Sequence, residues 1–150
     1  MVDNIVGVSG EPFTVLVEAG KIREFALATR SDDPAYVDVD GGTPIAEPTF
    51  LMTARLWQLP DSLPKIPPGS GAALHGEQEF VFHGEPPAAG TRLTAQIRVA
   101  AAYEKEGKRG GTLTFKELVT EFHDESGRLV TESKMTTVET SRVPSAESGS

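Results

Sequence analysis

The sequence predicts an α+β domain in which a long antiparallel sheet packs over one main helix. Three observations lead there. An apolar stripe at helical spacing, formed by Ile22, Phe25, Ala26 and Thr29, lies early in the chain. Strand-like segments then fill most of the chain from residue 73 to residue 140. Short turns join most of these segments, and Asp124 to Gly127 carries the strongest hairpin signal.

In chain order, residues 1–11 are weakly patterned and read as a leading segment packed over the sheet. Phe13, Val15 and Val17 alternate with Thr14 and Leu16 in a short strand. The helix follows, without a strong N-cap, since only Glu18 and Gly20 are candidates. Its end is expected near Asp32 or Asp33, because Pro34 disfavours a helical conformation in the residue before it. Residues 31–44 then read as a long loop. Pro48 to Leu59 is a second helical segment, with Phe50, Leu51, Ala54 and Trp57 as its apolar face and Pro48 in its first turn. Residues 60–71 hold four prolines and two glycines and form a surface connection.

The remainder is β. From Ala73 to His83, Leu74, Gln78, Phe80 and Phe82 fall on one side, and His75, Glu77, Glu79 and Val81 on the other. Leu93, Ala95, Ile97, Val99, Ala101 and Tyr103 make the cleanest alternation in the chain. A charged turn over 104–111 leads to a strand from Thr112 to Phe122 with apolar residues on both faces. A last strand runs from Leu129 to Thr140. One domain over 1–140 and a disordered tail over 141–150 are expected, with no internal repeat.

The bulk numbers narrow the function. The chain has 150 residues and no cysteine, which excludes disulfides and cysteine-based metal or nucleophile sites. No apolar run approaches the roughly 18 residues of a membrane span, and no signal peptide is visible, so a cytoplasmic protein is expected. The net charge of −8 argues against nucleic-acid binding but allows a local basic patch for an anionic carrier. Arg23, Arg30, Arg55, Lys65 and Arg98 are the candidates for such a patch. His75, His83 and His123 are scattered and lack ligand spacing, and no metal or cofactor is expected.

Three stretches carry a family resemblance: Glu18 to Tyr36, Pro44 to Leu51, and Leu74 to His83 followed by Pro86, Gly90 and Leu93. In this order and spacing they resemble the N-terminal half of MaoC-like dehydratases, over roughly Phe13 to Val138. The resemblance implies a hot dog fold, a curved antiparallel sheet wrapped around a central helix. It also implies an edge-to-edge dimer, and leaves open whether the two chains are identical.

The family adds water across an enoyl thioester, or removes it from a 3-hydroxyacyl thioester. That chemistry needs an acid/base pair and a donor for the charge on the thioester oxygen. Catalytic members carry the pair in a loop of the form Asp-x-Asn-Pro-x-His. Aligned on Pro34, this chain has Ser31 in place of the Asp and Tyr36 in place of the His, with Asp33 at the Asn. No histidine lies between residues 1 and 74. Asp32 or Asp33, with Tyr36 as acid, is the substitute the sequence offers.

Glu47, Pro48 and Thr49 fall where relatives place the amide that holds the thioester oxygen, and Pro48 has no N–H to offer. Phe50, Leu51 and Trp57 are expected in the core and beside an acyl tunnel along the helix. The implied function is a non-catalytic, substrate-accommodating subunit of a heteromeric (R)-specific enoyl-thioester hydratase or 3-hydroxyacyl-thioester dehydratase. Its ligand would be an acyl-CoA or acyl-carrier-protein thioester, and its partner a catalytic MaoC-like chain. Two alternatives stay open: a homodimeric hot dog protein that binds acyl-CoA without turnover or is structural, and a thioesterase using a carboxylate on or near the first helix, such as Glu24.

Overall fold

The computed structural model describes residues 3–38, 40–69, 72–108 and 111–141. The expected tail beyond residue 141 lies outside the described residues, as do small parts of the leading segment, the 60–71 connection and the 104–111 turn. Strand β1 (Phe13–Leu16) precedes helix α1 (Ala19–Thr29) and a one-turn helix α2 (Pro34–Val37). A 3₁₀ helix (Phe50–Trp57) leads to the long strands β2 (Ala72–Phe82), β3 (Arg92–Glu106), β4 (Thr112–His123) and β5 (Leu129–Thr140). The strands form one sheet in the order β1-β3-β4-β5-β2, and every pairing is antiparallel.

The core sits against the concave face of this sheet. Leu93, Ala95, Ile97 and Val99 of β3 are buried while Thr94 and Gln96 between them are exposed, so the period of two sets the faces. Helix α1 buries Ile22 in one cluster with Leu93, Ala95 and Ile97, and Ala26 is buried one turn further on. Phe25 meets Phe50 edge to face, with ring centroids 5.7 Å apart, which ties α1 to the 3₁₀ helix.

Two bulges change the faces that simple alternation predicts. The β2 register shifts at Gly76, so His75 pairs with Thr137 and Leu74 with Val138. His75 therefore joins the concave face of Gln78 and Phe80, and Leu74 turns outward, where it is 65% exposed. Glycine suits this bulge, because a Cβ at residue 76 would lie 3.0 Å from Val138 Cγ2. The β3 register shifts between Val99 and Ala101. This buries Ala102 and sends Ala101 and Tyr103 outward, and Tyr103 stacks on Phe115 at 5.0 Å. Lys105 Nζ lies 5.0 and 5.2 Å from the two ring centroids.

Helix α1 ends at Thr29, earlier than Pro34 alone requires. Arg30 adopts φ 60°, and Ser31 N–H donates to Ala26 O at 2.8 Å, closing the helix with a left-handed cap. The expected 31–44 loop also contains α2, where Pro34 occupies the first turn and the Asp33 carboxylate accepts from Ala35 N–H at 2.9 Å. The leading segment lies beside β3 as an edge continuation of β1. Gly7 N–H donates to Val99 O, and Gly10 N–H donates to Ile97 O, both at 2.9 Å. A Cβ at Gly10 would overlap the Ser62 carbonyl, so glycine lets the two backbones meet.

Thr131 is fully buried on β5, and its hydroxyl has no hydrogen-bond partner among the described residues. Valine has the same shape without the polar atom. Thr131→Val is therefore expected to raise stability by about 1–2 kcal/mol in urea denaturation, and an unchanged or lower midpoint would show that the hydroxyl is satisfied.

The β4–β5 turn offers a pH test. Asp124 accepts from the Ser126 hydroxyl at 2.6 Å, the Ser126 and Arg128 amides, and Arg128 Nε. These bonds, led by that of the Ser126 hydroxyl, hold its carboxyl at about 2 against an ordinary 3.8. The folded value lies below the unfolded one, so its contribution is present above the unfolded value and lost as pH falls towards 2. Carbon-detected NMR titration is expected to place its midpoint near 2, and a midpoint near 4 would show that the turn network does not form.

Candidate functional site

The segment from α2 to the 3₁₀ helix is anchored at three backbone points. Ile45 N–H donates to Ala35 O at 3.0 Å, Ala46 N–H to Pro87 O at 2.9 Å, and Ala89 N–H to Pro44 O at 2.8 Å. These bonds tie α2 to the segment before the 3₁₀ helix, and that segment to the turn after β2. Tyr36 is half-buried and packs on the core cluster that contains Phe50 and Phe122. Asp33 is committed to capping α2, while Asp32 is exposed.

Glu47 is 7% exposed, close to the end of α1. Its two carboxyl oxygens lie 3.2 and 3.1 Å from Thr29 Oγ1. That hydroxyl also lies 3.1 Å from Phe25 O and 3.0 Å from Ala26 O, the carbonyl end of the helix. One hydroxyl proton thus faces four acceptors. The neighbourhood is rich in acceptors and poor in donors, which opposes a developing oxyanion. Pro48 and Thr49 are exposed at the start of the 3₁₀ helix, and Phe50 N–H is spent on Glu47 O at 3.0 Å.

The apolar space lies elsewhere. A groove, partly open to solvent, runs between the 3₁₀ helix and the concave sheet. Leu51, Met52 and Ala54 form its helical wall. Ile97, Leu118, Phe122 and Met135 form its apolar floor across β3, β4 and β5. Polar floor groups are Thr120, Ser133 and Gln78, and Gln78 Nε2 donates to Ser133 Oγ at 2.8 Å. Arg55 is exposed on the wall with no ion-pair partner among the described residues.

Of the candidate site residues singled out in the sequence, Leu51 and Arg55 line this groove. Ser31, Asp32, Asp33 and Tyr36 are absent from its wall, as are Glu47, Pro48, Thr49 and Phe50. Phe50 is core, at 1% exposure. Trp57 lines a separate surface hollow with Phe13, Leu16 and Leu59. The thioesterase candidate Glu24 is exposed and paired with Lys21 at 2.7 Å. The floor residues were hidden in the sequence because β4 is apolar on both faces. The inward parity of Leu118, Thr120 and Phe122 is the signal that marks them.

Among the described residues, no group of three or more His, Cys, Asp or Glu side chains is placed to hold a metal. No helix among them is long and apolar enough to cross a membrane.

The family described as FAS1-like, dehydratase domain region, matches residues 4–133. The chain belongs to this family. A UPF0336 protein of Streptomyces griseus is 31% identical, over 79% of this chain and 82% of its own length. A UPF0336 protein of Streptomyces coelicolor is 32% identical, over 85% and 87%. Among solved structures, the HadBC (3R-hydroxyacyl-ACP dehydratase) complex of Mycobacterium tuberculosis superimposes with a TM-score of 0.67 at 23% identity, over 92% of this chain and 99% of that one. The fold of this FAS1-like dehydratase-region chain is the hot dog fold, as the resemblance to MaoC-like dehydratases implies.

Proposed function

We propose that this chain is the non-catalytic, substrate-accommodating subunit of a heteromeric (R)-specific enoyl-thioester hydratase or 3-hydroxyacyl-thioester dehydratase. The observation that carries the reading is an apolar groove in a chain whose loop after α1 offers no Asp/His acid/base pair. Ser31 and Tyr36 stand at the dyad positions, Tyr36 is packed on the core, and Asp33 is used as a helix cap. The carboxyl of Glu47 supports the same reading, since it disfavours negative charge where relatives hold the thioester oxygen. Membership of a dehydratase family gives the reaction class, and the likeness to one member of a heteromeric dehydratase complex supports the heteromer.

In this reading the chain forms a single domain over residues 1–140 and works in the cytoplasm, in fatty-acid, polyketide or sterol side-chain type metabolism. It dimerises with a catalytic MaoC-like chain. Its groove receives the acyl part of a CoA or acyl-carrier-protein thioester, and the exposed Arg55 on the groove wall meets a carrier phosphate. The partner contributes the Asp and His that handle water and the α-proton.

The experiment is to assay enoyl-CoA hydration by the purified chain alone and after mixing with a catalytic MaoC-like chain, with co-purification as a second readout. Activity only on mixing, together with a stable complex, is the expected result. Full activity of the chain by itself would refute the assignment. A stable homodimer that binds acyl-CoA but gives no turnover in either assay would favour a binding role.

A further inference from the structure

The groove has two ends of different character. At one end Leu51 and Phe122 belong to the larger core cluster, with Phe50 and Ala46. At the other, Leu118 also packs against a second cluster of Ile5, Val99 and Ala102. Beyond Leu118 the concave side of β4 stops being apolar. The next inward residue of β4 is Lys116, and it faces Thr137 on β5, with Glu139 two residues further on. Lys116 Nζ donates to Glu139 Oε1 at 2.6 Å, with the two side chains only 10% and 16% exposed. The proline-rich connection crosses the same place. Ile66 packs into the second cluster, and a Cβ at Gly69 would overlap the Glu139 carboxylate.

We propose that the Lys116–Glu139 ion pair is the end stop of the groove and restricts it to medium-length acyl groups. The proposal rests on the acyl-thioester reading above. From Phe122 to Leu118 the floor covers four residue steps along β4, roughly 13 Å at the usual strand rise, or about ten methylenes. A longer chain would press its methyl end into a buried, mutually satisfied ion pair. Hydrocarbon there strips water from both charges and returns no hydrogen bond. The connection above closes the remaining way out.

The test is a length series. Affinities of the purified chain for saturated acyl-CoAs of four to sixteen carbons are measured by calorimetry, for the native protein and for Lys116→Ala/Glu139→Ala. Removing both charges together leaves neither unpaired. The native protein is expected to gain about fourfold in affinity per added methylene, up to about ten carbons, and then to level off. The double variant is expected to keep gaining, so that a fourteen-carbon chain binds it at least tenfold more tightly than it binds the native protein.

A native gain that continues through sixteen carbons would overturn the stop, as would a double variant that levels off at the native length. No binding of any acyl-CoA to the native protein would overturn the acyl-thioester reading itself, and the stop with it. Lys116→Val/Glu139→Val removes less volume and carries the same expectation if the alanine pair does not fold.

Discussion

Tyr36→Phe and Asp32→Asn in this chain are each expected to leave the hydration rate of a reconstituted heteromer within about twofold. Removing the Asp or His of the catalytic partner's loop is expected to lower it roughly 10²–10⁴-fold, about 3–5.5 kcal/mol of barrier. The difference follows from where the groups sit. Tyr36 rests on the core cluster of Phe50 and Phe122, outside the wall of the groove. Asp32 is exposed and also outside it. Asp33 makes a poorer test, because losing its cap on Ala35 costs about 1 kcal/mol of local stability whatever its role. The measurement is the initial rate of crotonyl-CoA hydration, followed by loss of the enoyl-thioester absorbance. A hundredfold loss in Tyr36→Phe or Asp32→Asn would show that this chain's own loop does the chemistry.

The second large effect concerns stability. Lys116→Leu alone is expected to destabilise the fold by about 3 kcal/mol, because it leaves the Glu139 carboxylate buried without its cation. Lys116→Leu/Glu139→Leu is expected to fall within about 1 kcal/mol of the native protein, since two apolar side chains of similar size replace a costly pair. Urea midpoints of the two single variants and the double variant give the coupling directly. If the double variant loses as much as the singles added together, the pair is not coupled and water reaches both charges. The same reasoning explains why the groove must be lengthened by removing both charges at once.

Much of the architecture was legible because it rests on local pattern. The alternation of Leu93, Ala95, Ile97 and Val99 predicts a half-buried strand, and those residues are buried while Thr94 and Gln96 are not. The β5 segment from Leu129 to Thr140 and the turn beginning at Asp124 appear where turn chemistry and β propensity place them. Alternation misleads where the strand carries an extra residue. At Gly76 and near Ala100 a bulge exchanges the faces, so Leu74 and Tyr103 point outward. The helix also ends before the point Pro34 predicts, because Arg30 takes a left-handed conformation that its residue type does not announce.

The candidate site divides the same way. The absence of an Asp and a His at Ser31 and Tyr36 is a property of the chain as written, and so is the family resemblance that gives those positions meaning. The location of the apolar space belongs to the tertiary structure alone. Leu51 and Met52 come from the 3₁₀ helix, Ile97 from β3, Leu118 from β4 and Met135 from β5, and only the order of strands in the sheet brings them to one groove. The Lys116–Glu139 contact has the same origin, joining residues 23 apart in sequence on neighbouring strands. Patterns of period two or 3.6 record which face of an element is apolar, so they specify elements and a core. They carry no record of which elements become neighbours, and a binding groove is made of neighbours.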